Sequence, residues 1–384
     1  MPRKNKPFYV SLRYLQFTHF YPVADNNKKF RKCIAMIIRS LIVFFIVQSF
    51  LHAYFFAKYN VQADIAEDFA VFVSFINYLY ICNVFHYLAK YFSKLFFIIS
   101  DTTKFGEPSN WNKVIERNKL FTLFVLVYAT VGVLFYCLLK IFFESGKCNA
   151  RNIENKVHEI CGTPGPIGWP HQEISMLWYI VLITIQIIVA EYTAPCAAMI
   201  IMTCWDATHL LICKIHHLKD LFRQVFDTDD PILRKKRLIY CIRYHQEIIG
   251  NLFYRMANKL NELNRKVLGQ MSFVAAISMG FIATQVVETF SFGAVLHLLG
   301  FALLVALTCL IGQIMQDESY NIQDSINESK WDNDLKLARD LNIVLIRCQR
   351  PVYLQSSPTG IFNYQQLLLI FKATYSYITL MARK

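Results

Sequence analysis

The chain has 384 residues, 55% hydrophobic and only 17% charged, with 32 Phe, 21 Tyr and a formal net charge of +13. Soluble domains carry nearer a quarter charged residues, so this composition excludes an ordinary water-soluble globule and fits lipid-facing and interfacial surfaces. The positive charge lies beside apolar runs, where Lys and Arg set membrane orientation, so nucleic acid is not an expected partner.

Seven apolar runs follow one another: Ser40–Ala57, Phe69–Ala89, Leu120–Phe143, Ile174–Met202, Val267–Thr289, Phe292–Met315 and Ile361–Met381. Each reaches, or with its flanks approaches, the roughly 20 residues that cross about 30 Å of hydrocarbon. The expected fold is therefore an all-α membrane protein with seven transmembrane helices. Residues 1–39 form a basic arm that contains no cleavable signal, since the first apolar run starts too deep. Residues 40–202 hold spans one to four, 267–315 hold spans five and six, and 361–381 hold span seven.

Positive charge alternates between the connections. The arm, the second-to-third connection (Lys94, Lys104, Lys113, Arg117, Lys119) and the fourth-to-fifth connection are basic. So is the sixth-to-seventh (Lys330, Lys336, Arg339, Arg347, Arg350), whereas the 288–293 turn has no Lys or Arg. The positive-inside rule then places the N-terminus in the cytoplasm and the C-terminus outside, the reverse of a G-protein-coupled receptor. Of eleven Cys, only Cys148 and Cys161 fall in an exterior loop, where an oxidising medium permits either a disulfide or two free thiols. The sequon Asn327-Glu328-Ser329 lies on the cytoplasmic side and is expected to be unused.

The cytoplasmic connection 203–266 is too periodic for a plain loop. Leu210, Leu211, Ile215, Leu218, Leu221, Phe222 and Val225 recur at helical steps and extend helix four. Asp230-Pro231 then starts a second helix, Ile232–Lys266, with Leu238, Cys241, Ile242, Ile248, Ile249, Leu252, Phe253 and Met256 inward. Within 316–360, Trp331–Arg347 offers a third amphipathic helix (Leu335, Leu337, Leu341, Val344, Leu345). Three such helices form either a stalk within one subunit or an anchor between subunits. The thin core they make alone favours the anchor.

Chemical machinery is not visible. His209, His216, His217 and His245 lack the repeated box of a di-iron membrane enzyme and read as helix-surface residues, with no metal or cofactor expected. There is no GxSxG and no GxxxxGK[ST], so no enzyme activity is expected. Glu191 and Pro195 in span four are assigned structural roles; a transporter would show an internal symmetry that is absent. The outer halves of spans two, three, four and six carry aromatic and small residues: Ser74, Phe75, Tyr78, Gly132, Phe135, Tyr136, Ile183, Thr184, Ile187, His297 and Phe301. A cleft among them would be apolar with a few polar handles, the general character of a small-molecule pocket. On the last run, Gln365, Leu369, Lys372, Ser376, Leu380 and Arg383 fall at steps of three or four and line one helix face. Polar groups are costly in hydrocarbon, so that face is expected to look into protein or water, as the wall of an ion pathway would.

The C-terminal third carries a resemblance. Trp331, Arg350-Pro351-Val352-Tyr353-Leu354, Pro358 and Ala373-Thr374-Tyr375-Ser376-Tyr377-Ile378-Thr379-Leu380 are similar to the insect odorant receptor family, in its tuning-subunit form. Gustatory receptors share the inverted plan but end in TYxxxxxQF, and here Met381-Ala382 occupies the QF positions. A metabotropic receptor would show DRY or NPxxY motifs, and neither is present. The resemblance implies the odorant-binding subunit of a ligand-gated, non-selective cation channel, in the plasma membrane of olfactory sensory neurons. It implies a heterotetramer with a co-receptor subunit, a pore lined by the last helix, a hydrophobic gate at Leu380 and an anchor carrying Trp331, Arg350, Pro351 and Leu354. Arg383 stands where the family has a glutamine, and with Lys372 it departs from what a homomeric cation pore needs.

Overall fold

The computed structural model describes residues 7–21, 28–59, 65–168, 174–248, 267–289, 292–329, 331, 334–356 and 360–381. Ile249, Leu252, Phe253, Met256 and Arg383, assigned above to faces of helices, lie outside them. Each apolar run lies within or largely overlaps one long helix. These are α2 (Lys28–Tyr59), α3 (Ile65–Ser100), α4 (Trp111–Leu139), α6 (Met176–Arg223), α8 (Gly269–Thr289), α9 (Phe292–Tyr320) and α12 (Tyr364–Met381). Shorter helices are α1 (Tyr9–Phe17), α5 (Ser145–Asn155), α7 (Pro231–Gln246), α10 (Ile322–Asn327) and α11 (Leu335–Cys348). Among the described residues, five helices are long and apolar enough to cross a bilayer, those of the first, second, third, fourth and sixth runs. A two-stranded antiparallel pair, β1 (Gln355–Ser356) with β2 (Gly360–Ile361), turns the chain into α12.

The centre of the bundle is α6. Its 48 residues extend about 72 Å at 1.5 Å per residue, more than twice the hydrocarbon thickness. It passes through Pro195 without a break. From Met199 to Phe222 nearly every apolar side chain is buried, because α1, α3, α4, α7, α9 and α10 all pack on it. Lys214, itself buried, donates to the carbonyls of Ile98 and Asp101 at 3.3 and 2.6 Å and so caps the end of α3.

The N-terminal arm differs from expectation: it contains a docked helix. Phe8, Leu12 and Leu15 recur at helical steps and are buried, and α1 packs against α4 and α6. Ser11 and Thr122 both donate to the buried carboxylate of Asp206, at 3.3 and 3.4 Å. Tyr14 donates to the carbonyl of Glu191 at 3.2 Å. A short helix with an apolar stripe needs such a surface, since it is marginal in water alone.

Below the membrane-spanning region, Asp230 caps α7 by accepting from the amide of Ile232 at 2.8 Å. Leu238, Cys241 and Ile248 are buried as the periodicity predicts, and so are Leu337, Leu341 and Val344 of α11. His245 corrects the surface reading of the histidines. It is 4% exposed, with Nε2 3.5 Å from the thiol of Cys348 on α11. His209 is also half-buried, its ring 4.4 Å from that of Trp205. Burial, reinforced by the Arg347 charge, pushes the His245 imidazole down to about 4 from 6.5.

A histidine depressed in the folded state takes up its proton more readily on unfolding, so stability falls as pH drops from 6.5 toward 4. At pH 5 the loss is about 2 kcal/mol, counted at ~1.4 kcal/mol per pH unit. Amide hydrogen exchange in α7 and α11 is expected to quicken roughly thirtyfold between pH 7 and pH 5 after correction for intrinsic rates. His245→Phe removes that acid dependence; equal acceleration in the variant would refute the assignment.

Candidate functional site: an apolar cavity

Six helices part around a cavity of about 380 Å³, lined by α2, α3, α4, α6, α8, α9 and the loop Pro164–Pro166. Its volume falls within the range of small-molecule sites. The space exists because α6 is poor in bulk where it faces the cavity: Ala190, Ala194, Ala197 and Ala198 line it. Opposite, Gly132 on α4 and Gly300 on α9 add no side chain, and a Cβ at either would meet nothing within 4 Å. His297 stacks on Phe301 at 4.9 Å and lies 5.6 Å from the ring of Tyr136, so one wall is aromatic. Among the described residues, no Asp, Glu, Lys or Arg lines the cavity.

Of the eleven residues singled out from the sequence, Ser74, Phe75, Tyr78, Gly132, Tyr136, His297 and Phe301 line this one cavity. Phe135, Ile183, Thr184 and Ile187 do not. Phe135 is exposed on another side of α4, and the lining face of α6 begins at Gln186 and continues inward to Ile201. The cavity therefore reaches deeper than the outer half of the bundle. The run of alanines was the available signal.

Four of the five Ser and Thr hydroxyls at the wall are spent on their own helices. Ser49 donates to Phe45, Ser74 to Ala70, Thr193 to Ala190 and Thr308 to Leu304, each to a backbone carbonyl. Such bonds satisfy the donor and leave an apolar surface.

The loop after α5 roofs the cavity and is clasped by two buried glutamines, which the sequence did not single out. Gln186 donates to the Gly165 carbonyl at 3.1 Å and accepts from its amide at 3.3 Å. Gln48 accepts from the amide of Gly168 at 3.1 Å. Gly168 presses on the backbone of Leu51 and His52, and a Cβ there would overlap it. Above the roof is a smaller space of about 70 Å³ that shares Val71, Tyr136 and Pro164–Pro166 with the cavity below. It is charged. His52 bridges Asp68 at 2.5 Å and Glu159 at 3.1 Å, and Arg151 pairs with Glu159 at 2.6 Å. Burial would raise the Glu159 carboxyl, but His52 and Arg151 hold it below the usual carboxylate range. Cys148 and Cys161 are joined as a disulfide, which ties α5 to the start of this loop.

On α12, Gln365, Leu369, Lys372, Ser376 and Leu380 are all exposed, so the polar-lined face turns away from its own bundle. The inner side of α12 packs on α8 and α9. Tyr377 lies against Phe281 with ring centroids 5.6 Å apart. Gly312 on α9 touches the backbone of Phe362 so closely that a Cβ would overlap it. Around the turn into α12, Trp331 and Leu354 pack against the core, Pro351 is half-buried and Arg350 is exposed.

A family model described as 7tm odorant receptor matches residues 64–375. Among solved structures, the insect olfactory receptor OR5 from Machilis hrabei is similar over 97% of both chains, with 12% identity and a TM-score of 0.76. The same receptor in complex with eugenol matches at 13% identity and a TM-score of 0.76, over 97% of this chain and 96% of that one. No curated protein sequence shows significant similarity.

Replacing Gln186 by Leu removes both bonds to Gly165, each worth about 1 kcal/mol. Exchange of the Gly165 and Gly168 amides is expected to accelerate by roughly tenfold or more in the variant. Unchanged protection would mean that the glutamine does not clasp the roof.

Proposed function

The chain belongs to the 7tm odorant receptor family of insects, and from that premise we propose that it is the odorant-binding subunit of a heteromeric, ligand-gated, non-selective cation channel. The observation that carries this reading is the uncharged apolar cavity, because two of the helices that line it, α8 and α9, are also the helices that hold α12. A volatile that prefers an expanded bundle shifts the population toward that form in proportion to its differential affinity. Met271, Ser272, Val274 and Ala275 line the cavity, and farther along α8 Gly280 and Phe281 bear on Tyr377. Movement of α8 is thereby passed to α12.

The exposed stripe on α12 supports a pathway formed between subunits. Leu380, 64% exposed, is the gate: a closed apolar ring excludes ions by dewetting, and a small displacement relieves it. Lys372 is positive on the same stripe, so cation passage relies on neighbouring co-receptor subunits within a heterotetramer. The cytoplasmic helices supply the anchor. Ile232 and Ile239 on α7 and Ile343 and Ile346 on α11 are exposed apolar side chains. The disulfide that ties α5 to the loop before α6 supports an exterior location for that loop, and hence a cytoplasmic N-terminus and a plasma-membrane site in olfactory neurons.

Voltage clamp of cells challenged with volatiles, with this chain expressed with and without the co-receptor, tests the reading. Inward current is expected only on co-expression, and Leu380→Ala is expected to raise ligand-free current about tenfold, or ~1.4 kcal/mol in the gating equilibrium. Current that depends on a G protein, or an N-terminal tag stained on intact cells, would overturn it.

A further inference from the structure

Building on the cavity as the ligand site, we propose that Gly132 and Gly300 set its ligand class: the breadth they leave beside the aromatic wall selects ring-bearing volatiles, aromatic or alicyclic, over open chains. Both residues line the cavity, both are only half-buried, and both sit inside a long helix. Glycine weakens a helix interior relative to alanine, so each position calls for a reason. The ordinary reasons do not apply. Neither residue has a positive φ, and neither is pressed by a neighbouring backbone as Gly168 and Gly312 are. A Cβ at either would meet nothing within 4 Å. Gly165, a third glycine at the wall, differs, because a Cβ there would meet Gln186 at 3.7 Å.

The open space at both glycines is the cavity itself. Tyr128 and Tyr136, one turn to either side of Gly132, line it, and so do Leu296 and Leu304, one turn to either side of Gly300. Positions four apart share a helix face, so a side chain at either glycine would point into the same volume. The two positions also lie at one level. Thr122 near the start of α4 and Glu318 near the end of α9 both bond to the lower part of α6, at Asp206 and at His216 and Lys219. Tyr136 near the end of α4 lies against Gly293 near the start of α9, so the two helices run antiparallel. The Tyr136 and His297 rings are 5.6 Å apart. Gly132 is four residues inward from Tyr136 and Gly300 three inward from His297, and equal rise per residue brings the glycines together in depth. The cavity is therefore broad one turn below the aromatic pair, where two helices packed on each other both lack a side chain. A ring fills such a space with few rotors to freeze and can stack on the aromatic wall. An open chain of equal carbon count either lies extended and forfeits contacts across the gap, or coils and loses rotamer freedom.

Matched compounds isolate the ring while holding functional group and carbon count: benzaldehyde with heptanal, acetophenone and cyclohexyl methyl ketone with 2-octanone, methyl benzoate with methyl heptanoate. Dose–response currents are recorded from cells co-expressing this chain and a co-receptor, alongside thermal shift of the purified complex with each compound. Each ring compound is expected to act at a concentration at least about tenfold below its open-chain partner. Gly132→Val and Gly300→Val are each expected to weaken the ring compounds by about tenfold or more and to leave the open chains within about threefold. Gly132→Ala and Gly300→Ala act in the same direction by less. Their unliganded melting temperature is expected to be unchanged or higher, since alanine is the better helix former, which separates lost space from lost folding. Open chains as potent as rings in the unaltered receptor, or valine variants that keep the ring preference or weaken both partners alike, would overturn the selection while leaving the ligand site intact. Where a valine variant fails to fold, an unchanged preference in the matching alanine variant overturns it equally. Silence and no thermal shift for every compound would instead remove the ligand-site reading, and this inference with it.

Discussion

The structure depends on the burial of α6. One helix does two things: its first half walls the cavity, and its second half, from Met199 to Phe222, is the axis on which the surrounding elements pack. Between Met199 and Phe222 its apolar residues are covered on nearly all sides, so six other elements take their position from it. The alanines of its upper half do the opposite. They leave unfilled volume where the surrounding helices cannot close in, because those helices are already held apart below. A cavity of this size would cost several kcal/mol in a soluble core. Here it is retained beside a densely packed stem that is able to carry that cost.

Polar satisfaction divides the molecule by depth. Above the cavity, every member of the His52–Asp68–Glu159–Arg151 group is paired, and the roof is held by reciprocal amide bonds. Below it, the Asp206 carboxylate is met by two hydroxyls from different elements. Between the two, Ser49, Ser74, Thr193 and Thr308 turn back onto their own helices, which leaves those parts of the wall apolar.

The legible part of this fold was its periodicity. Apolar runs predicted the seven long helices, Asp230-Pro231 predicted the start of α7, and the stripe on α11 predicted which of its side chains are buried. What periodicity could not supply was the partner of each face. The N-terminal helix reads as a basic arm until its Phe8, Leu12 and Leu15 are seen against α4 and α6. Gln48 and Gln186 read as isolated polar residues in spans, because their partners lie 120 and 21 residues away in an irregular loop. Seven of the eleven candidates, chosen for aromatic or small character, line the cavity. Three of the other four fall on α6, where the lining face is marked by absence of bulk.

The close approach of Gly312 to Phe362 has a mechanical consequence. It is backbone against backbone at the inner end of α12, and no side chain intervenes to yield. Tyr377 is 15 residues away and Leu380 is 18, about 22 and 27 Å along the helix axis at 1.5 Å per residue. In the gating proposed above, α12 turns as a lever about Phe362, so a passage bordered by its exposed face keeps its width near Phe362 and varies near Leu380.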